Sequence, residues 1–562
     1  MKTAKSTALL LLLACAAGCS RCGGGKSASS AEELLAPQAA LSATTGVLGA
    51  FGQHLASLVE RAAAIPGGEQ LSDLRRQLAG QLGFDPLTRD GQLAAGLDPD
   101  RAAAFVATLP DGPQGRPSWV VALPLTSPDR FLATADKLLR ERGGLPLRTE
   151  EPRGEAKVIV FARAGAAGAA AAGHKVAISI VRGYGLIARG SDPAAEIGAA
   201  LARTREGSLA VSGQWSAAKS LLKPDGAPAG DVLVFAPAGS ELGSRLAGRP
   251  LAGDSSLALS FGATGLQARI RAGLSAEAQV ALGSLLPGGG ADLLPLLPQT
   301  APIRARLGLS PAQVGPQLER VPFLAPAIAL LRQQAEAKGV QLDRDLFGAL
   351  RPGLVVSIAT APTLDLAGVI NGDFLEWRGG RLEWRGRSPF DFVQVAALAE
   401  VANRDRLLLA LDAVATLMPR LSAQAARTGD DWQITFAAGA GARFGVRTIA
   451  GRTLAYLVGG GLTPESLAPA PGAADPALAG PTGIAASIDL GKLAAALHAL
   501  PESTYGSGPS SFIARSLVGQ VIEPLKSLRG SVQLAPGAGG VAATVTLEIV
   551  ALPNAAAPTP RP

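Results

Sequence analysis

Ser216 and Lys219 lie three residues apart in Ser216-Ala-Ala-Lys219, a spacing that could support nucleophilic chemistry. On a helix the two side chains would share one face, where a lysine amine can activate a serine hydroxyl. The serine would then carry a covalent acyl intermediate. The pair predicts, as one alternative, a serine acyl-enzyme hydrolase.

The rest of the sequence does not support this hydrolase alternative. S-x-x-K is the nucleophile motif of the penicillin-binding enzymes, but their partner motifs S-D-N and K-T-G are absent here, as is G-x-S-x-G. Ser216 equally suits the start of a helix that follows a strand. We therefore expect no catalytic site.

The three histidines are His54, His174 and His498, and none has a second histidine three or four residues away. That spacing is the one with which a single helix presents two metal ligands. Only His498 has a carboxylate nearby, Glu502, and Pro501 is expected to end the helix between them. We expect no metal site and no cofactor.

All three cysteines lie in the first 22 residues. The chain begins with basic residues and continues with an apolar run, Ala8 to Ala17, and Gly18 directly precedes Cys19. This pattern resembles the lipobox signal peptide of bacterial lipoproteins. The resemblance implies cleavage of residues 1–18 and lipidation of Cys19, with Cys15 as the alternative.

A lipidated Cys19 implies an exported protein that is held at the bacterial outer membrane by its N-terminal lipid. Ser20 follows the cysteine in place of aspartate, which favours the outer membrane, and we expect the protein to face the periplasm, with surface exposure as the alternative. Residues 19–34 are expected to form a flexible tether because they are rich in glycine and serine.

The composition indicates a folded body of more than one domain. The chain has 562 residues, and after the leader no run of about 20 apolar residues could span a bilayer. Its 52 basic and 45 acidic residues are dispersed, which excludes a concentrated nucleic-acid-binding patch. Since no cysteine follows Cys22, packed cores must stabilise the body.

Two halves of the chain show similar patterns. Asp129-Arg-Phe-Leu132 opens an apolar-periodic segment after a candidate strand at 119–125, and Asp405-Arg-Leu-Leu408 does so 276 residues later, after a candidate strand at 392–398. Each segment has a candidate N-cap. These N-caps are Ser127 and Asn403.

Further segments recur at nearly the same offset. Candidate strands at 207–212 and 483–488 correspond, as do candidate hairpins at 256–271 and 531–549. In the first hairpin, Arg269 and its polar neighbours alternate with apolar residues, the period of a half-buried strand. Repetition in the same order predicts that one module occurs twice.

We therefore predict an α+β fold with two tandem modules, 35–290 and 298–550, joined by a linker at 291–297. Each module is expected to be a mostly antiparallel sheet with helices on one face, and 551–562 a disordered tail. The duplicated plan, the leader and the Asp-Arg-Phe-Leu helix start resemble an uncharacterised family of exported bacterial proteins, classed only as a domain of unknown function. The resemblance implies two α+β repeats and no catalytic residues.

The segment from Leu375 to Trp384 predicts a hairpin around Gly379-Gly380, a pair that suits a two-residue turn. This register pairs Leu375 with Trp384 and Trp377 with Leu382 on one face. The hairpin would pack on its own module or, alternatively, present its aromatic face to a partner.

These features together favour a lipid-anchored envelope protein that binds or scaffolds without catalysis. The alternative is a carrier or sensor of an apolar ligand such as a lipid, because a curved sheet covered by helices can enclose an apolar groove. The expected partners are the membrane, through the lipid, and an envelope protein or an apolar ligand. No nucleic-acid partner is expected.

Overall fold

The structure is a computed structural model of the chain. It describes residues 28, 30–63, 68–109, 117–153, 156–163, 175–223, 229–247, 250–262, 265–318, 325–362, 364, 375–378, 381–384, 388–416, 418–421, 423–436, 439–469, 475, 477–480, 483–500, 502–505, 512, 515–516, 519, 522, 525–535 and 540–549. These residues form two compact units, unit 1 up to Ser275 and unit 2 from Ala276, with Gly540 assigned to unit 1.

Unit 1 is built on an antiparallel sheet. Along the sheet, the strands are paired in the order β10-β9-β8-β1-β2-β3-β7-β6-β5-β4. Their bounds are β1 Leu41–Thr45, β2 Ala104–Thr108, β3 Ser118–Pro124, β4 Leu147–Arg153, β5 Ala156–Ala162, β6 Lys175–Val181, β7 Tyr184–Arg189, β8 Val232–Ala236, β9 Ser255–Gly262 and β10 Gly265–Gly273.

Helices cover both faces of this sheet, whereas the sequence predicted helices on one face. The reason is visible in β3, where Val120 and Ala122 enter one core while Val121 and Leu123 enter the other. A strand that is apolar on both sides must be covered on both sides. The helices are α1 Leu48–Ala63, α2 Glu69–Leu82, α3 Arg89–Ala94, α4 Pro128–Lys137, α5 Pro193–Leu201, α6 Gly213–Lys219 and α7 Glu241–Ala247.

Unit 2 repeats this order of strand pairing. Its main sheet runs β21-β20-β11-β12-β15-β19-β18-β17-β16, all antiparallel, which matches the unit 1 order from β9 to β4. The α+β fold and its antiparallel sheets are as expected, and the origin of the two units by duplication stays a prediction. The strands are β11 Ile303–Leu307, β12 Leu350–Thr360, β13 Leu375–Arg378, β14 Arg381–Trp384, β15 Val393–Val401, β16 Ala423–Thr428, β17 Asp431–Phe436, β18 Ala442–Ile449, β19 Arg452–Gly459, β20 Ile484–Asp489, β21 Leu525–Ala535 and β22 Gly540–Ile549.

The sheet of unit 2 is also covered on both faces. On one face β17 and β18 contribute Trp432 and Phe444, whose rings stack with centroids 5.4 Å apart. This aromatic pair belongs to a core that packs against a helix beginning at Arg404. The helices of unit 2 are α8 Ala276–Leu285, α9 Pro311–Leu318, α10 Ala325–Glu336, α11 Arg404–Ala415 and α12 Leu490–His498.

Both predicted helix starts are confirmed. Ser127 Oγ accepts a hydrogen bond from the Arg130 amide at 3.4 Å, and Asn403 Oδ1 accepts one from the Arg406 amide at 3.1 Å. Each side chain thereby satisfies an amide that the first helical turn leaves without a partner. The caps fix where α4 and α11 begin.

The predicted tether extends too far along the chain. Residues 31–34 form a 3-10 helix whose side chains are all buried, and Leu34 lies in the core on one face of the unit 1 sheet. Three apolar residues, Leu34, Leu35 and Ala31, are nearly inaccessible to solvent. Their burial outweighs the Gly/Ser bias of the preceding residues, so the fold of unit 1 already includes Ala28.

The predicted linker and one predicted strand also differ from the structure. Residues 291–296 form a 3-10 helix whose leucines are buried in the core of unit 2, and the units meet in sequence at 275/276. Pro295 lies inside that helix and does not interrupt it.

The strand predicted at 207–212 is absent from the structure, where residues 209–211 form a 3-10 helix. Val211 is exposed and therefore does not continue an apolar strand face.

Candidate ligand-binding cavity

An apolar cavity lies in unit 1 between the sheet and the helices on one of its faces. Its volume is about 1050 Å3, just above the roughly 300–1,000 Å3 typical of small-molecule sites. Strands β3, β6 and β7 form the floor, and α2, α4 and the π-helix 138–142 form the cover. The apolar lining includes Leu97, Val121, Leu123, Phe131, Val176 and Ile178.

The floor of the cavity follows from strand periodicity. Alternate residues of a strand point to the same face, so Trp119, Val121 and Leu123 of β3 all line the cavity. The register of the sheet places Arg189 of β7 beside Trp119, and Val176 of β6 beside Arg189. Three neighbouring strands therefore contribute one continuous surface.

Phe131 closes one end of the cavity against β7. The ring occupies the space above Gly185, where an added Cβ would lie 2.5 Å from Phe131 Cε1. Phe131 itself is 4 % exposed. Glycine at 185 is thus what allows α4 to approach the sheet this closely.

Gly185→Ala is expected to destabilise the protein by about 1–3 kcal/mol, because the new methyl group forces the Phe131 ring out of its position. Chemical denaturation of the full chain measures the change. Gly198→Ala in α5 is the control, since its Cβ would meet no atom within 4 Å and alanine is favoured in a helix by roughly 0.5–1 kcal/mol. Equal effects of the two substitutions would contradict this packing account.

Three arginines line the cavity, and no acidic side chain is among the lining residues that the structure describes. Arg142 and Arg163 are exposed and Arg189 is half-buried. Arg142 Nη1 donates to the carbonyl oxygens of Gly80 and Gln81 at the end of α2, which links the π-helix to α2. The described lining therefore combines a mostly apolar surface with three guanidinium groups.

Asp98 is a buried carboxyl group next to the cavity residue Leu97. Its Oδ1 accepts a hydrogen bond from the Asp100 amide at 2.8 Å, and its Oδ2 has no partner within the described part of the chain. Burial raises the pKa of Asp98 to about 6, although that amide and Arg101 oppose the shift. This carboxyl group therefore titrates about two pH units above an exposed aspartate.

Asp98→Asn is expected to remove a pH dependence of stability. The pKa of Asp98 is higher folded than unfolded, so the folded state binds the proton more tightly. Stability is lost as pH rises from about 4 to above 6, by about 3 kcal/mol for a shift of about two pKa units. Denaturation of wild type and variant at pH 4.5 and pH 8 should show the variant gaining relative stability at pH 8.

Asp100→Asn is the matched control for Asp98→Asn. The Arg89 guanidinium lowers the pKa of Asp100, so this variant should instead lose relative stability as pH rises. Asp100 is exposed, and the effect should be small. A pH profile of Asp98→Asn parallel to that of the wild type would contradict the raised pKa.

The residues of the predicted hydrolase alternative lie away from the cavity, on α6. Lys219 Nζ donates to Glu32 Oε2 at 2.8 Å, and Glu32 is 7 % exposed. No hydrogen bond joins Ser216 to Lys219 among the residues that the structure describes, and Ser216 is exposed. The lysine serves to neutralise a buried carboxylate, which does not favour a role in activating the serine.

The histidines are dispersed. His54 Nδ1 lies 2.9 Å from Asp231 Oδ1, and Asp231 Oδ2 accepts a hydrogen bond from the Phe261 amide at 2.6 Å. His498 is the last residue of α12, and His174 lies outside the described residues. No group of three or more histidine, cysteine or acidic side chains that could hold a metal ion occurs in the described part.

The predicted hairpin is confirmed in its backbone register. Strands β13 and β14 pair antiparallel, with Leu375 opposite Trp384 and Trp377 opposite Leu382. The predicted binding role of this hairpin stays a prediction. The leader with Cys15 and Cys19, and the predicted tail, lie outside the described residues.

The arginines of the cavity were not predicted from the sequence. A signal exists, because Arg163 and Arg189 each follow an apolar residue of a strand by two positions, Phe161 and Ile187. Residues two positions apart in a strand point to the same face, so each arginine adds a charged side chain at the end of an apolar strand face. The signal becomes specific only when β5, β6 and β7 are known to be neighbours.

Comparison with known proteins provides little further information. No family model and no curated protein matches the chain. Two crystal forms of TP0453, forms III and I, share 10% identity with it over 47% of this chain and 88% of that chain, with TM-scores of 0.27 and 0.26. Similarity at these TM-scores carries no argument about this chain. Across the described residues, no helix is long and apolar enough to cross a membrane.

Proposed function

We propose that this chain is a lipid-anchored envelope protein that binds an apolar ligand in unit 1 and does not catalyse a reaction. The observation that carries the proposal is the cavity of about 1050 Å3 with its apolar lining. An unfilled apolar space of this size lowers the stability of a fold, because the residues that line it lose packing contacts. A bound apolar ligand would restore those contacts. Of the predicted alternatives, the carrier or sensor is therefore the one we favour.

The lipobox-like leader, residues 1–18, supports export and anchoring. A lipid on Cys19 would hold the protein at the outer membrane, beside a supply of apolar molecules. The tether would extend only to about residue 27, since Ala28 already belongs to the core of unit 1. Scaffolding through the Trp377/Trp384 hairpin remains the alternative function.

Trp119 provides a direct test of binding. It lines the cavity and is half-buried, whereas Trp215 and Trp432 are buried in other cores. A hydrocarbon chain brominated along its length should quench the tryptophan fluorescence of the full-length protein saturably, and Trp119→Phe should remove that component. Quenching that does not saturate, or that is unchanged in Trp119→Phe, would contradict binding in the cavity.

A further inference from the structure

We propose that the ligand is a lipid that carries two hydrocarbon chains on one polar group, with both chains inside the cavity of unit 1 and the polar group at its exposed side. This inference rests on the proposed function and adds the size and the orientation of the ligand. The shared chemistry is a pair of acyl or alkyl chains, and we assign both chains to one molecule.

The volume of the cavity exceeds what one hydrocarbon chain can fill. A water molecule has a share of about 30 Å3 in the liquid and a methylene group is of similar size, so a chain of sixteen carbons occupies roughly 500 Å3. The cavity has a volume of about 1050 Å3. One chain would leave about half of this space without packing contacts, whereas two chains fill it.

The floor of the cavity is wide enough for two chains side by side. Strand β7 lies between β3 and β6, and the register aligns Val121, Ile187 and Ile178 in one row across the three strands. Neighbouring strands lie about 4.8 Å apart, so the floor is about 10 Å wide between β3 and β6. Carbon atoms in contact are separated by about 4 Å, so two parallel chains fit on this width. One chain would lie on the β3 side, beside Trp119, and the other on the β6 side, beside Val176.

The exposure of the lining residues places the polar group of the ligand. Among the described lining residues, the exposed ones are Gln81 at the end of α2, residues 142–144 after the π-helix turns, and Arg163. Leu97 and Phe131 are each 4 % exposed. A polar group that loses its water without gaining a partner is destabilised, so it stays at the exposed residues while the chains extend towards the buried ones.

A covalent link between the two chains favours their joint binding. When one chain of such a lipid enters the cavity, the other is held beside it at a high effective concentration. Two separate molecules would each lose translational and rotational freedom on binding. The proposed anchor on Cys19 would also hold the cavity beside a bilayer, where two-chain lipids are abundant.

Matched acylglycerols test the number of chains. The probes are 1-hexadecanoylglycerol and 1,2-dihexadecanoylglycerol, offered at equal concentration in the same detergent to the full-length protein, and native mass spectrometry counts the bound molecules. At saturation we expect two molecules of the single-chain probe or one molecule of the two-chain probe. The two-chain probe should bind at least about tenfold more tightly, a difference of about 1.4 kcal/mol.

The outcomes separate this inference from the proposed function. One bound single-chain molecule at saturation, or equal affinity for the two probes, would overturn the two-chain assignment and leave the proposed function standing. No binding of either probe would overturn both.

Val176→Phe tests the side-by-side arrangement. Val176 lines the cavity on β6 and is 7 % exposed, so the added ring would project into the space assigned to the second chain. We expect this variant to bind one single-chain molecule and to lose the tenfold preference for the two-chain probe. It should retain quenching of Trp119 by the brominated chain, because Trp119 lies on the β3 side.

Thr149→Phe is the control for Val176→Phe. Threonine resembles valine in shape, and Thr149 is exposed on β4 and is not among the lining residues. Unchanged binding of the two-chain probe in Val176→Phe, or an equal effect of Thr149→Phe, would overturn the arrangement. If Val176→Phe does not fold, competition on the wild type decides. One molecule of the two-chain probe should displace both single-chain molecules, and displacement of only one would overturn the arrangement.

Discussion

Ala135→Phe is expected to weaken ligand binding in unit 1 strongly without unfolding the protein. Ala135 lies on the side of α4 that faces the cavity, and it is 8 % exposed. A phenylalanine ring at this position would project into unfilled space, so it need not displace the core as an added ring in a packed interior would. We expect the affinity for an acyl or alkyl chain to fall at least about tenfold while the free energy of unfolding stays within about 1 kcal/mol of the wild type.

Ala133→Phe provides the matched control on the same helix. Ala133 is exposed, so the same ring added there should affect neither binding nor stability. Quenching of Trp119 by a brominated chain measures the affinity, and urea denaturation measures the stability. Undiminished binding in Ala135→Phe would show that the cavity is not the binding site.

Cys19→Ser is expected to release the protein from the membrane fraction. If Cys19 carries the acyl chains of a lipoprotein, the substitution removes the thiol that bears the first of them and with it the lipid anchor. Labelling cells with a clickable fatty acid, followed by fractionation, should show loss of both label and membrane association.

Cys15→Ser distinguishes the two candidate cysteines. It leaves Gly18-Cys19 intact and should retain the label and the membrane association. Loss of label in Cys15→Ser with retention in Cys19→Ser would transfer the anchor to the alternative site. Membrane association that survives both substitutions would contradict the lipoprotein interpretation.

Features that depend on neighbouring residues could be predicted from the sequence. The N-caps Ser127 and Asn403 lie directly before apolar-periodic segments, and the glycine pair at 379–380 of the sequence predicts the register found for β13 and β14. In each case the signal lies within a few residues, either in an unsatisfied helix amide or in a residue pair that favours a two-residue turn.

Features that depend on distant packing could not be predicted. Glycine and serine indicate a tether at 19–34, but Leu34 is buried by strands that lie far away in the sequence, and so is Leu293 in the predicted linker. Similarly, Arg269 interrupts an apolar alternation and should face solvent. It is 6 % exposed, and its Nη1 donates to the Leu221 carbonyl at 3.1 Å.

The cavity is also a feature that depends on distant packing and could not be predicted from the sequence. Its lining residues read as ordinary core residues in the sequence, since Leu97, Val121 and Phe131 would look the same in a filled interior. The distance between α4 and the floor decides whether the space is open, and that distance is set where Phe131 meets Gly185. The corresponding face of unit 2 is occupied instead by the stacked pair Trp432 and Phe444.

Native mass spectrometry of the full-length protein, purified from envelopes in a mild detergent, tests the central claim most directly. The account predicts the acylated chain with one additional apolar ligand bound non-covalently and strongly reduced in Ala135→Phe. The acylated chain without any adduct, or an adduct retained equally by Ala135→Phe, would contradict ligand binding in the cavity of unit 1.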